Sequence, residues 1–190
     1  MTKEQLRKAY KAERLKIDEG AYEQASVAII EQLKQRDWST YSYVHVYLPI
    51  QKMREIDTWP FIDWLQEQHP NVHVVISRSN PVDFTMKHYR FVNRTFLVEN
   101  SWGILEPVDG EEVHASLLDV VVVPLLVADK HGNRVGYGKG FYDRFLEDCR
   151  PDCLKLGLSL FEPVEQIENL HAQDIPLDEL ITPKRTYSFK

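Results

Sequence analysis

The chain has 190 residues, 43% of them hydrophobic and 27% charged, with a formal net charge of -6. That is enough chain for one domain with its own core, and too ordinary a composition for a fibrous or disordered protein. An acidic balance excludes a general nucleic-acid binder, which needs a broad basic face, and the longest apolar run, Val120 to Ala128, contains Pro124 and is too short to cross a bilayer.

The N-terminal segment is basic (Lys3, Arg7, Lys8, Lys11, Arg14, Lys16) and lacks the apolar core of a secretory signal, so a cytoplasmic protein is expected. Residues 2–18 are rich in Lys, Glu, Leu and Ala, with Leu6, Tyr10 and Ile17 at helical spacing, and predict a first helix. Gly20 is expected to break it. Ala25, Ala28, Ile29 and Leu33 then line a second helix, and the two are expected to pack as a pair.

Tyr43 to Leu48 read as a strand ending at Pro49. Asp57 or Thr58 is placed to cap a helix through Phe61, Ile62, Trp64 and Leu65, with Pro60 in its first turn. Val72 to Ile76 read as a buried strand, and Phe84 to Val98 as a hairpin or meander. Leu117 to Val123 form the clearest core strand, because a nearly unbroken Val-rich run suits a parallel strand covered on both faces. A helix near Gly140 to Cys149, a strand at Leu154 to Leu160 and a last strand near Leu180 to Thr182 complete an alternation that predicts a mostly parallel, layered α/β sheet in a single domain, residues 1–190. Cys149 and Cys153 have no partners for a zinc site and read as reduced structural thiols.

Four of the eight glycines, Gly132, Gly136, Gly138 and Gly140, fall between the most buried strand and a helix. Glycine permits positive φ and removes the Cβ, so that successive backbone N–H groups converge on an anion at the helix N-terminus. Arg134 and Lys139 add a forked and a point cation, and Asp143 follows as a carboxylate able to hold Mg²⁺ on phosphate oxygens. The pattern is neither a P-loop nor the dinucleotide fingerprint. No GxSxG element is present, and nothing in the sequence pairs a cysteine with a histidine as a nucleophile.

The segment VVVPLLVADKHGNRVGYGKGFYDRFL resembles the signature of the 5-formyltetrahydrofolate cyclo-ligase family, in which a proline and an aspartate precede G-x-R-x-G-x-G-x-G-[YF]-Y-D. KEQLR at Lys3 to Arg7, EIDT at Glu55 to Thr58 and HAQDIPLDELIT at 171–182 are similar to three further family segments, in the family's order. The resemblance implies a three-layer, Rossmann-like sheet with helices on both faces, similar to the sugar-phosphate isomerase and CoA-transferase folds. It also implies conversion of 5-formyltetrahydrofolate and ATP to 5,10-methenyltetrahydrofolate, ADP and phosphate with Mg²⁺, by phosphorylation of the formyl oxygen.

Carried onto this chain, the resemblance gives ATP contacts to Lys3, Arg7, Arg134, Val135, Gly136, Tyr137, Gly138, Lys139, Gly140, Phe141 and Tyr142, with Arg134, Lys139 and Tyr142 closest to the chemistry. It gives Mg²⁺ to Asp143 and Asp174, and the folate to Ile50, Glu55, Trp102 and Tyr137. A carboxylate such as Glu55 accepts paired hydrogen bonds from a pterin edge, and aromatic faces hold a flat heterocycle. The expected partners are these small molecules, with neither nucleic acid nor membrane, and a monomer is expected. The loop alone leaves two other readings open: an ATP-using paralogue with a different acceptor, and a folate or nucleotide binder without turnover.

Overall fold

Thr2 opens the first helix with a reciprocal capping box: its hydroxyl accepts from Gln5 N, while the Gln5 side chain accepts from Thr2 N. The result is α1 (Lys3–Lys16). Asp18 then accepts from Ala21 N and caps α2 (Glu19–Lys34). Gly20 is therefore inside the first turn of α2 and does not break the helix, because the interruption is made by the extended Asp18 cap.

The computed structural model describes residues 1–190. After the two helices come β1 (Tyr43–His45), α3 (Trp59–Gln68), β2 (His73–Ser79), β3 (Met86–Arg90), β4 (Leu97–Glu99), β5 (Leu105–Pro107), β6 (Val120–Pro124), β7 (Val127–Ala128), β8 (Arg134–Val135), α4 (Phe141–Glu147), β9 (Leu154–Leu158), β10 (Glu179–Ile181) and β11 (Thr186–Ser188). Seven strands form one sheet in the order β11-β10-β9-β6-β1-β2-β3. The inner strands β10, β9, β6, β1 and β2 are parallel, and the edge strands β11 and β3 are antiparallel.

Alternation sorts the two faces. Val44, Val74, Ile76, Val120 and Val122 pack under α2 and α3 with Ile29, Leu33, Phe61 and Leu65. Val75, Val121 and Val123 face the other way, onto Phe145 and Leu146 of α4. The sheet is thus covered by helices on both faces, as expected. Burying an aliphatic side chain of this kind contributes about 1.5–3 kcal/mol, so the Val-rich β6, buried from Val120 to Val123, anchors both layers.

Three local readings change. The first two helices do not pair: Leu6 of α1 packs with Val127, Val135 and Ile167, on the hairpin of β7 and β8, while α2 packs on α3. Residues 84–98 form no hairpin of their own, because β3 pairs with β2 and β4 pairs with β5 in a separate ribbon. The core strand begins at Val120, since Ala115–Leu117 make a 3-10 turn that His114 caps. At α3 both candidate caps contribute differently: Asp57 accepts from Trp59 N, whereas the Thr58 hydroxyl donates to Tyr47 O.

The connections place a site. From β1 the chain moves to β2 on one side, and from β6 to β9 and β10 on the other, so β1 and β6 flank a topological switch point where a crevice opens at the strands' carboxyl ends.

Candidate active site

A cleft of about 1460 Å³ occupies that position, reached by His45 of β1, Tyr47, Leu48 and Ile50 just beyond it, Pro124 of β6, and Ser77 and Ser79 of β2. Its other walls come from α1, the glycine-rich segment and residues 169–174. Of the residues assigned from the sequence, Lys3, Arg7, Ile50, Glu55, Trp102, Arg134, Gly136, Tyr137, Gly138, Lys139, Gly140, Phe141, Tyr142, Asp143 and Asp174 all line it. Val135 does not: its side chain is buried with Leu6 beneath α1, which leaves only its main chain for a ligand.

The glycine-rich segment divides into two parts. Gly132 lies outside the cleft, at φ +82°, where an added Cβ would stand 2.7 Å from Leu177 O. It belongs to the β7–β8 turn, organised by buried Asp129, whose carboxylate accepts from the backbone N–H groups of His131, Asn133 and Ile167. Gly136, Gly138 and Gly140 form the cleft wall. Arg7 braces this wall, donating from Nε to Gly136 O at 2.9 Å, and Gly138 adopts φ +88° directly against the Arg7 guanidinium. Lys139 is exposed and in no ion pair, with its ammonium 5.5 Å from the Phe84 ring centre. Arg144, which sequence reasoning passed over, donates to Lys139 O at 3.0 Å and lines the same wall.

Arg134 is not a free cation. Its guanidinium donates to Ile175 O and, at 2.8 Å, to Asp143 Oδ1, which also accepts from Ile175 N. Burial lowers the Arg134 pKa, and Asp143 and Asp174 oppose that shift. Asp174 is paired with Lys3 and accepts from His171 N; burial pushes its carboxyl up, but these two donors outweigh it and hold the group below its usual value. Lys3, Asp174, Arg134 and Asp143 thus form one alternating-charge cluster across α1, residues 169–175 and the start of α4.

This cluster fits a magnesium ion carried by a polyphosphate. Asp143 Oδ2 and Asp174 Oδ1 have no protein hydrogen bond, so each carboxylate retains a hard oxygen donor. No group of three or more His, Cys, Asp or Glu side chains is assembled for a metal. Mg²⁺ suits such a sparse set, because it usually keeps waters and takes one or two carboxylates plus substrate phosphates.

Glu55, which also lines the cleft, is 4% exposed. Its Oε2 accepts from Ile50 N at 2.7 Å and its Oε1 from the Tyr137 hydroxyl at 2.8 Å. Burial raises its pKa, partly offset by the Ile50 N–H, the Tyr137 hydroxyl and the Arg14 charge. Burial also raises the Tyr137 and Tyr142 phenols well above their ordinary value, so both stay protonated. Trp102 is half-exposed at the mouth, where its ring meets Phe141 edge-on at 6.1 Å, and Phe84 meets Phe141 from another side at 5.6 Å. Trp102 is therefore cleft lining and not core.

The sequence profile of the 5-formyltetrahydrofolate cyclo-ligase family matches residues 1–183. The chain belongs to that family. Similar members include the 5-formyltetrahydrofolate cyclo-ligase of Haemophilus influenzae, 34% identical over 135 residues that cover 67% of this chain and 69% of the relative. The probable 5-formyltetrahydrofolate cyclo-ligase of Schizosaccharomyces pombe is 27% identical with 97% of each chain covered. Among solved structures, the 5,10-methenyltetrahydrofolate synthetase of Aquifex aeolicus superposes with a TM-score of 0.81 at 29% identity, covering 100% of this chain and 94% of its own. As a member of the cyclo-ligase family the chain is an enzyme of the ligase class, and its sheet and helices are similar to those of the solved methenyltetrahydrofolate synthetase.

Proposed function

We propose that the chain converts 5-formyltetrahydrofolate to 5,10-methenyltetrahydrofolate with Mg²⁺ and ATP, releasing ADP and phosphate. One observation carries the reading: the glycine wall with its cations and the buried Glu55 carboxylate open on the same cleft, joined through Tyr137. At about 1460 Å³ the cleft exceeds the 300–1,000 Å³ of a typical single small-ligand pocket and has room for two substrates.

Glu55 receives N–H donors of the pterin edge, and Ile50 and Trp102 hold the flat ring system. The backbone of Gly136 to Gly140, with Lys3, Arg7, Arg134 and Lys139, holds the triphosphate. Asp143 and Asp174 would hold Mg²⁺, which supplies neutralisation of charge on the phosphate oxygens. The formyl oxygen attacks the γ-phosphorus as the bond to ADP breaks, giving a phosphorylated iminium. N10 then attacks the formyl carbon, phosphate leaves with the oxygen, and the N10 proton is lost. Alignment of acceptor oxygen and phosphorus is the main task of the protein, and Lys139, the exposed and unpaired cation on the glycine wall, stabilises the charge that develops on the transferred group.

The test mixes protein, Mg-ATP and 5-formyltetrahydrofolate and follows methenyltetrahydrofolate absorbance and phosphate together. Equal amounts of both are expected. Phosphate appearing only with another acceptor would replace this reading with that of a paralogue.

A further inference from the structure

Beneath the cleft lies a buried cation that the proposed chemistry does not use. Arg14, on the inner side of α1, is 4% exposed and does not line the cleft. Its Nη1 donates to Leu125 O at 3.3 Å, its Nη2 donates to the Tyr137 hydroxyl, and its Nε has no partner. Tyr137 passes the connection on by donating to Glu55 Oε1, and Glu55 Oε2 is fixed by Ile50 N. Leu125, just past β6, is a rigid anchor, buried with Val121 and Val123.

We propose that Arg14 is a positioning residue for folate binding, acting through the Tyr137 hydroxyl to hold Glu55 ionised and aimed into the cleft. The proposal rests on the reading that Glu55 receives the folate. A buried carboxylate without an opposite charge nearby takes up a proton and then offers one acceptor fewer to a pterin edge. Arg14 supplies that charge without itself occupying ligand space. Because Tyr137 stands between Gly136 and Gly138, the same link ties one point of the phosphate wall to the position of the Glu55 carboxylate.

The groups that face Glu55 from the surrounding elements are Arg14 of α1, Tyr22 of α2, whose hydroxyl donates to Glu55 O, Tyr47 beyond β1, Tyr137, and Tyr142 of α4. Arg14 is the only cation among them, and the tyrosines stay protonated near neutral pH. The expected sign follows. Glu55 must be deprotonated to accept from the pterin, so folate binding is lost as pH falls through its pKa, and removing Arg14 moves that loss to higher pH.

The experiment measures kcat/KM for 5-formyltetrahydrofolate across pH, with the ATP KM in parallel, for the wild type, Arg14→Met and Glu55→Gln. Arg14→Met is expected to raise the folate KM about tenfold at neutral pH, move the acid limb up by about one pH unit, and leave the ATP KM within about twofold. An unmoved acid limb, or folate and ATP KM rising together, would overturn the role of Arg14. If Glu55→Gln leaves the folate KM unchanged, the placement of folate at Glu55 is what fails; if Glu55→Gln raises it and Arg14→Met does not, only the present inference fails. Should Arg14→Met not fold, Arg14→Lys carries the test. Its single head cannot span Leu125 O and the Tyr137 hydroxyl, so a several-fold rise in folate KM supports the role, and an unchanged KM in soluble protein refutes it.

Discussion

Asp143 Oδ1 lies 2.8 Å from Arg134 Nη2 and accepts the N–H of Ile175 as well, so the carboxylate at the start of α4 holds a guanidinium whose side chain is only 6% exposed. From the sequence the two groups read as independent, one for phosphate and one for metal. Their pairing gives Asp143 two duties. Removing one partner of a buried pair strands the other charge, and that penalty exceeds what the pair itself contributes.

Asp143→Asn is therefore expected to lose activity by about 100-fold or more and stability by about 2 kcal/mol. For a chain of this length that lowers Tm by roughly 4–8 °C. The double variant Arg134→Met with Asp143→Asn removes the stranded charge and should regain most of the Tm but none of the activity. Thermal melts and initial rates on the three proteins check this, and an Asp143→Asn protein that melts like the wild type would show that the pair contributes nothing to the fold.

Lys139 gives the opposite expectation. It is exposed and makes no ion pair, and its ammonium stands 5.5 Å from the centre of the Phe84 ring. Lys139→Ala should lower kcat by about 100-fold, the scale of losing one preorganised charge at a transferring group, with Tm changed by no more than about 1 °C, as for an ordinary surface substitution. A comparable fall in Tm would assign the lysine to the fold.

The glycines separate in the same way. Gly132→Ala forces a Cβ to 2.7 Å from Leu177 O at φ +82°, where neither side can give, because both are backbone, one in the turn that closes β7 and β8 and the other in the segment leading to β10, joined by the Leu177 N–H donating to Gly132 O. A loss of about 2 kcal/mol or more is expected, with kcat normal in whatever fraction folds. Gly138→Ala meets the tip of the Arg7 side chain instead, at 2.9 Å. That tip can move, so the strain stays near the roughly 1–2 kcal/mol of a left-handed alanine and the ATP KM rises as Arg7 leaves its place. Equal effects of the two substitutions on ATP KM would contradict this division.

Why some of this was legible in the chain and some was not has a physical basis. The Val-rich β6 and the glycine-rich segment carry local signals, namely burial on both faces and backbone freedom, that survive without tertiary context. Gly132 carries the same composition signal as Gly138, and the close approach of Leu177 and Phe189, both distant in sequence, is what tells the two apart. Arg14 looked like one more cation on a basic helix, and its burial follows from α1 packing on β7 and β8 and not on α2. The pairing of β3 with β2 is not legible locally, because the alternation of β3 fits a local hairpin equally well and pairing of that kind is decided by the sheet edge it finds.

The fourth expectation concerns pH and a group outside the reaction. His88 of β3 is 6% exposed, and its Nδ1 lies 2.8 Å from Ser77 Oγ, which in turn lies 2.8 Å from Nε2 of the fully buried His45. Burial lowers the His88 pKa from 6.5 to about 4, with Glu112 opposing and His114 assisting the shift, and burial followed by the neighbouring His88 lowers His45 in the same direction. The unfolded chain takes up these protons at higher pH than the folded one. Stability from keeping His88 neutral is thus intact above 6.5 and declines as pH falls from there toward 4, by about 2 kcal/mol between pH 7 and pH 5 for His88 alone. Glu55, whose carboxyl is raised in the fold, contributes in the opposite sense and cannot produce such a loss. Urea unfolding of the wild type and His88→Gln at the two pH values resolves the contribution: the variant should start less stable at pH 7 because the Phe145 contact is altered, yet lose about 2 kcal/mol less on acidification. Parallel losses in the two proteins would remove His88 as the source.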